Sequence, residues 1–276
     1  MNSYQTESGF APIDGALIYY EIAGEGTPFL MIHAGVADHR QWDHEYTHFA
    51  HQFRVMRYDM RGYGRSKPVA GEFSHLKDLT ALMDHLRIDQ PVLVMGCSMG
   101  GGVALNLALS KPSSVKALIL VDSGPPGLEL DLPDHPKTAD AEQAYLAGDL
   151  DLACELETQI WFDGMGRSPE QVDQTVRKLV YDMNRTGLAH DAKHLGNRLP
   201  DSELPASQRL DEINVPVLVI VGAHDTPYMH AAADYIIEKI KSARKEIIES
   251  CAHLPNLEQP EEFRRIILAF LEELTT

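Results

Sequence analysis

Pro91-Val-Leu-Val-Met-Gly-Cys-Ser-Met-Gly-Gly-Gly-Val-Ala-Leu-Asn-Leu-Ala-Leu109 decides how the rest of the chain is read. Val92 to Met95 is a short apolar run that suits a strand buried on both faces. Val103 to Leu109 is rich in Ala and Leu and suits a helix. Between them, Gly96-Cys97-Ser98-Met99-Gly100 sets a serine with glycine two residues away on each side. A strand that turns straight into a helix strains its corner residue and brings strand and helix into near contact. Glycines at these positions remove the side chains that would collide there. The corner residue is then held out at the strand's carboxyl end, facing the free amides of a helix N-terminus. Ser98 is the candidate nucleophile.

Working outward, the amino-terminal side reads as strands and loops. Residues 1–10 are polar and read as mobile. A short strand to Ile13 and another from Leu17 to Ile22 flank an Asp14-Gly15 hairpin turn. Phe29–Ile32 is an all-apolar run and hence a buried strand, and Phe53–Tyr58 reads as the next strand, followed by the glycine-rich loop Asp59-Met60-Arg61-Gly62-Tyr63-Gly64-Arg65-Ser66. His75 to Arg87 has helical apolar spacing, and Val115–Val121 is a strand.

From Pro125 to Leu210 no strand-like run occurs. Helical stretches are expected at Ala139–Cys154, Glu170–Met183 and Leu188–Leu195. Strand patterning returns at Val215–Val221 and Lys245–Glu249, with helices at His230–Ile240 and Pro260–Leu274. Alternating strands and helices imply an α/β fold with a mostly parallel sheet covered on both faces. The reading divides the chain into a core domain (residues 1–124 and 211–276) and a helical cap (125–210) over the carboxyl edge of the sheet.

The serine hydroxyl needs a base, and the base an orienting carboxylate. Asp225 follows one strand in Gly222-Ala223-His224-Asp225, and His253 follows the last in Ser250-Cys251-Ala252-His253. In a parallel sheet both loops emerge on the edge that carries Ser98. Asp122, which also ends a strand, is the rival carboxylate. Asp122 also suits a loop cap. Asp59 reads as the anchor of a structural turn.

These residues resemble the α/β-hydrolase fold superfamily, in particular its capped, serine esterase-like members. The resemblance spans nearly the whole chain. It rests on the Ser98 corner, the Gly-Ala-His-Asp225 turn, the Ala-His253-Leu-Pro-Asn-Leu-Glu-Gln-Pro run and the loop ending at Ser66. It implies a Ser98–His253–Asp225 triad that cleaves carboxylic esters of small or medium acyl groups through an acyl-enzyme. It also implies an oxyanion hole made by the amides of Met99 and Gly35, with Val36 one residue on as the alternative to Gly35. Val36, Trp161 and Phe162 are candidate substrate contacts, and Met165, Tyr181 and Met183 are further cap residues of that kind. His33 reads as a buried histidine bonded to backbone, and Cys97 and Cys251 as small apolar fillers. The same triad serves carbon–carbon bond hydrolases of ring-cleavage products, lactonases and perhydrolases. A ligand-binding receptor of the same fold is the alternative from another class.

Composition bounds the rest. A formal net charge of -17 argues against nucleic acid and anionic membrane surfaces as partners. No apolar stretch reaches transmembrane length, and no basic-then-apolar leader begins the chain, so a cytoplasmic location is expected. Three scattered cysteines suit neither a disulfide framework nor a zinc site. No metal or organic cofactor is expected. The partner is a small-molecule ester, and the assembly a monomer or homodimer.

Overall fold

A computed structural model describes residues 4–274. In chain order the elements are β1 (Thr6–Ile13), β2 (Ala16–Ala23), β3 (Pro28–Ile32), α1 (Asp43–Phe49), β4 (Arg54–Tyr58), β5 (Glu72–Phe73), α2 (His75–His85), β6 (Val92–Cys97), α3 (Met99–Ser110) and β7 (Val115–Val121). Then come α4 (Thr138–Leu146), α5 (Leu150–Thr158), α6 (Gln174–Asp191) and β8 (Asn197–Arg198). The chain closes with β9 (Val217–Gly222), α7 (Pro227–Lys239), β10 (Ala243–Ile248), α8 (Pro255–Glu258) and α9 (Pro260–Glu273).

Eight strands make one sheet in the order β1-β2-β4-β3-β6-β7-β9-β10. Only the pairings of β2, with β1 and with β4, are antiparallel. From β4 to β10 every neighbour is parallel, so the carboxyl ends of these strands lie along one edge. Alternate residues divide between two apolar clusters, because successive side chains leave a strand on opposite faces. Leu30, Val94, Leu118 and Val219 pack with α2, α3 and α7, while Met31, Met95, Ile119 and Leu218 pack with α1 and α9. α3 is buried from Gly100 to Leu109, which matches its nearly unbroken apolar sequence. No helix among the described residues is long and apolar enough to cross a membrane.

The fold is the α/β arrangement expected, with local differences. β1 begins at Thr6 and pairs with β2 along its length, so residues 6–10 are strand rather than mobile chain. The Tyr20 hydroxyl donates to Glu7 at 3.0 Å and helps hold that polar segment to the sheet. Residues 1–3 lie outside the described residues. The helix expected at Ala139–Cys154 is two helices, broken where Gly148 takes a φ of 78°. The stretches expected at Glu170–Met183 and Leu188–Leu195 are largely one helix, α6, capped at its start by the Asp173 carboxylate. The segment after Pro125 is not strand-free: β8 pairs with β5 as a separate two-stranded parallel ribbon.

Candidate active site

Ser98 sits between β6 and α3 with φ 53° and ψ -115°, a conformation that costs a non-glycine residue energy. Its amide donates to Val121 O at 2.9 Å, and its carbonyl accepts from the amides of Gly101 and Gly102. A β-carbon on Gly96 would lie 2.3 Å from Gly100 O, and one on Gly100 would lie 2.4 Å from Ile32 O. Both glycines are therefore needed for β3, β6 and α3 to approach this closely. No hydrogen bond reaches the Ser98 hydroxyl among the described residues, which leaves it available to a reaction partner.

The loops after β9 and β10 meet beside it. His253 Nδ1–H donates to Asp225 Oδ2 at 2.6 Å, and both side chains are almost fully buried. Asp225 Oδ1 accepts from the Thr226 amide at 2.6 Å. Burial opposes the Asp225 charge, but His253 and the Thr226 amide outweigh it and hold the carboxyl below its ordinary value. With Nδ1 carrying the proton, neutral His253 presents Nε2 as an acceptor. Trp161 holds the imidazole from the other side: its carbonyl accepts from the His253 amide at 3.2 Å, and the two ring centroids are 4.6 Å apart.

Asp122 stands behind this pair. It is fully buried, its Oδ1 accepts from the Gly222 amide at 2.9 Å, and its Oδ2 has no partner. Burial first, then the neighbouring Asp225 charge, pushes its carboxyl well above the ordinary range. Asp122, Asp225 and His253 each offer a ligand atom within 4.8 Å of the others, as do Asp38, His39 and Asp59. The second group is spent internally. Asp38 binds Arg40, and Asp59 takes the His39 ring, the His39 amide and the Arg65 amide. Asp59 is thus the centre of a loop turn.

Gly35 and Met99 are adjacent, a β-carbon on Gly35 lying 3.9 Å from Met99 Cβ. The peptide before Gly35 is held tightly. His33 Nε2 accepts from the Met60 amide at 3.0 Å, so Nδ1 carries the proton and donates to Ala34 O at 2.7 Å. Burial keeps this imidazole neutral. The Ala34 amide in turn donates to Gln41 Oε1 at 2.8 Å, and the Asn256 amide group donates to Gln41 O at 2.7 Å. Gln41 and Asn256 were not singled out from the sequence, since a sequence separation of 215 gives no local signal.

A cavity of about 430 Å³ opens between these loops and helices α5 and α6. Gly35, Val36 and Trp161 line it, with Tyr63, Glu157 and Asn184. A second hollow of about 380 Å³ contains Ser98 and Met99, and Arg198 borders both. Phe162 is a correction: it is fully buried in the apolar cluster of α1 and α9 and lines neither space, because the π-helical turn that carries it after Trp161 sets it among the core residues. Met183 is likewise core. Cys97 and Cys251 are buried, with thiols pushed up by burial, as apolar fillers would be.

Residues 27–260 match the family model of the alpha/beta hydrolase fold, and the chain belongs to that family. It is 28% identical to a 2-hydroxy-6-oxo-6-phenylhexa-2,4-dienoate hydrolase of Comamonas testosteroni, covering 93% of this chain and 92% of that one. It is 27% identical to a 3-oxoadipate enol-lactonase of Acinetobacter baylyi, with 94% of each chain covered. Among solved structures, a thermophilic esterase from Thermogutta terrifontis superposes with a TM-score of 0.74 at 26% identity, covering 99% of this chain and 100% of that one.

Proposed function

We propose that this chain is a serine hydrolase that cleaves carboxylic esters of small or medium acyl groups. The observation that carries the reading is the 2.6 Å bond from His253 to Asp225, set beside a serine at a strained strand-to-helix corner. In the reaction, Ser98 Oγ attacks the ester carbonyl carbon while its proton passes to His253 Nε2. Asp225 holds the ring and stabilises the imidazolium. The carbonyl oxygen becomes an oxyanion facing the amides of Gly35 and Met99, where α3 directs its N-terminus. Collapse expels the alcohol, which takes the proton from His253. Water then attacks the acyl-enzyme by the same route and releases the acid. Catalytic hydrogen bonds often tighten only when substrate is bound, which suits a Ser98 hydroxyl without a partner.

The division into a core (1–124 and 211–276) and a cap (125–210) belongs to this reading, with α4–α6 roofing the cavity and Trp161 and Val36 contacting substrate. Lactone opening is the second reading. It uses the same steps with the leaving alcohol tethered, and one similar protein is an enol-lactonase. Initial rates on chromogenic acyl esters of increasing chain length test the proposal, with Ser98→Ala in parallel. Turnover of short chains that is lost in the variant supports an esterase. A folded wild type inactive on every ester and lactone overturns it.

A further inference from the structure

Arg198 is placed unlike the other arginines near the site. Arg61 is paired with Asp78, Arg167 with Glu258, and Arg177 with Asp163 and Glu155. Arg198 pairs with no carboxylate among the described residues, although the chain has 41 acidic residues to 24 basic. Its Nη1 instead lies 3.4 Å from Met99 Sδ, a weak acceptor, on the residue that follows Ser98.

The backbone that carries it is pinned. The Asn197 amide donates to Gly71 O and the Leu199 amide to Phe73 O, both at 2.8 Å, one residue to each side of Arg198. Gly196, with φ 84°, lets this strand close on Val69 O, which a β-carbon there would approach to 2.8 Å. An exposed guanidinium on a pinned backbone, at the rim of the hollow that holds Ser98, therefore lacks a strong acceptor.

The surroundings say what it takes. In that hollow, Arg198 is the sole charged side chain among the described residues, the other walls being Ser98, Met99, glycines, prolines, Tyr228 and Met229. The N-terminus of α3 adds a second positive influence at Met99 and Gly102. The carboxylates on the other cavity stand on α5 and α6 and are engaged there: Glu157 accepts from Asn184 at 2.7 Å, and Asp191 from the Tyr145 hydroxyl.

We propose that Arg198 anchors a carboxylate carried by the substrate, so that the site prefers half-esters of dicarboxylic acids over neutral esters. This rests on Ser98 being the ester-cleaving nucleophile. The planar guanidinium fork suits a two-point contact with a carboxylate, and the Met99 thioether yields its place.

The test compares kcat/KM for the mono-4-nitrophenyl esters of adipic and suberic acid with those for 4-nitrophenyl hexanoate and octanoate. Wild type favours the charged ester of at least one pair by about tenfold or more. The ratio falls to near unity in Arg198→Gln, is largely kept in Arg198→Lys and inverts in Arg198→Glu. No charged preference in wild type, or one that survives Arg198→Gln, overturns the proposal. Calorimetric titration of adipate into Ser98→Ala needs no turnover. Binding there, lost in Ser98→Ala/Arg198→Gln, supports the anchor even if every ester is inert, in which case only the esterase reading fails. No binding of adipate counts against the anchor itself.

Discussion

The Asn256 side chain donates to the backbone oxygen of Gln41 at 2.7 Å, joining the loop of His253 to the loop of Gly35. Gln41 passes the constraint on, because its own side chain accepts from the Ala34 amide. Gln41 and Asn256 are both fully buried, so their bonds face no competition from water. The His253 loop and the Gly35 loop are thus held in register by two side chains that lie outside the proposed triad.

Gln41→Met removes the acceptor for Ala34 while keeping the side chain's length. The loop then loses one of the two anchors beside the Gly35 amide, His33 still holding Ala34 O, and kcat falls about 10- to 100-fold with KM little changed. Steady-state kinetics check this. A lower melting temperature with unaltered kcat would assign the bridge to stability alone.

The two buried carboxyls near His253 are expected to respond differently. Asp225 is ionised and bonded to the imidazole, so Asp225→Asn lowers kcat by about 10⁴. Asp122 bonds the Gly222 amide and not the imidazole, and burial disfavours its charge, so the uncharged, isosteric Asp122→Asn keeps activity within about tenfold. The reverse order of effects, measured on one ester, would make Asp122 the triad acid.

Much of this was legible in sequence where one residue type answers one local demand. The corner glycines around Ser98 reflect a backbone contact, and the apolar strand runs reflect burial on two faces. Asp225 and His253 could be picked out because each follows a strand by a few residues. Other features depend on distant approaches. α1 has only Tyr46 and Phe49 facing the core with Glu45, too short a pattern to recognise. β8 is two residues long and exists because its loop meets β5. Trp161 and Phe162 are equivalent in sequence, and only the turn of the chain makes one a neighbour of His253 and the other core.

Glu45 ties stability to pH. It is fully buried, Asn256 bonds one oxygen at 3.2 Å, and the other has no partner. Burial pushes its carboxyl from the ordinary 4.5 up to about 7. The folded chain therefore binds more protons than the unfolded chain between these values. The contribution is full below pH 4.5 and is lost as pH rises through about 7, at most about 3 kcal/mol. Urea midpoints at pH 5 and pH 8 should differ by less in Glu45→Gln than in wild type. An unchanged difference would contradict the assignment.

Glycine replacements in α3 separate close approach from helix propensity. In Gly100→Ala the new methyl meets backbone oxygens of Ile32 and His33 at 2.4 and 2.6 Å, contacts that cannot relax without moving β3. A loss of about 3 kcal/mol or more is expected. In Gly102→Ala the methyl meets only the Pro126 ring at 3.1 Å, and the helix gain of about 1 kcal/mol roughly offsets the crowding. Urea unfolding of both variants would contradict the account if they lost similar stability.

The most direct test of Ser98 as the nucleophile is covalent labelling with a fluorophosphonate, read by intact mass and peptide mapping. The account predicts one phosphonyl group per chain, on Ser98, with fluoride released. Labelling should slow by orders of magnitude in His253→Ala and be absent in Ser98→Ala. A label on another residue, or none on folded wild-type protein that hydrolyses esters, would contradict it.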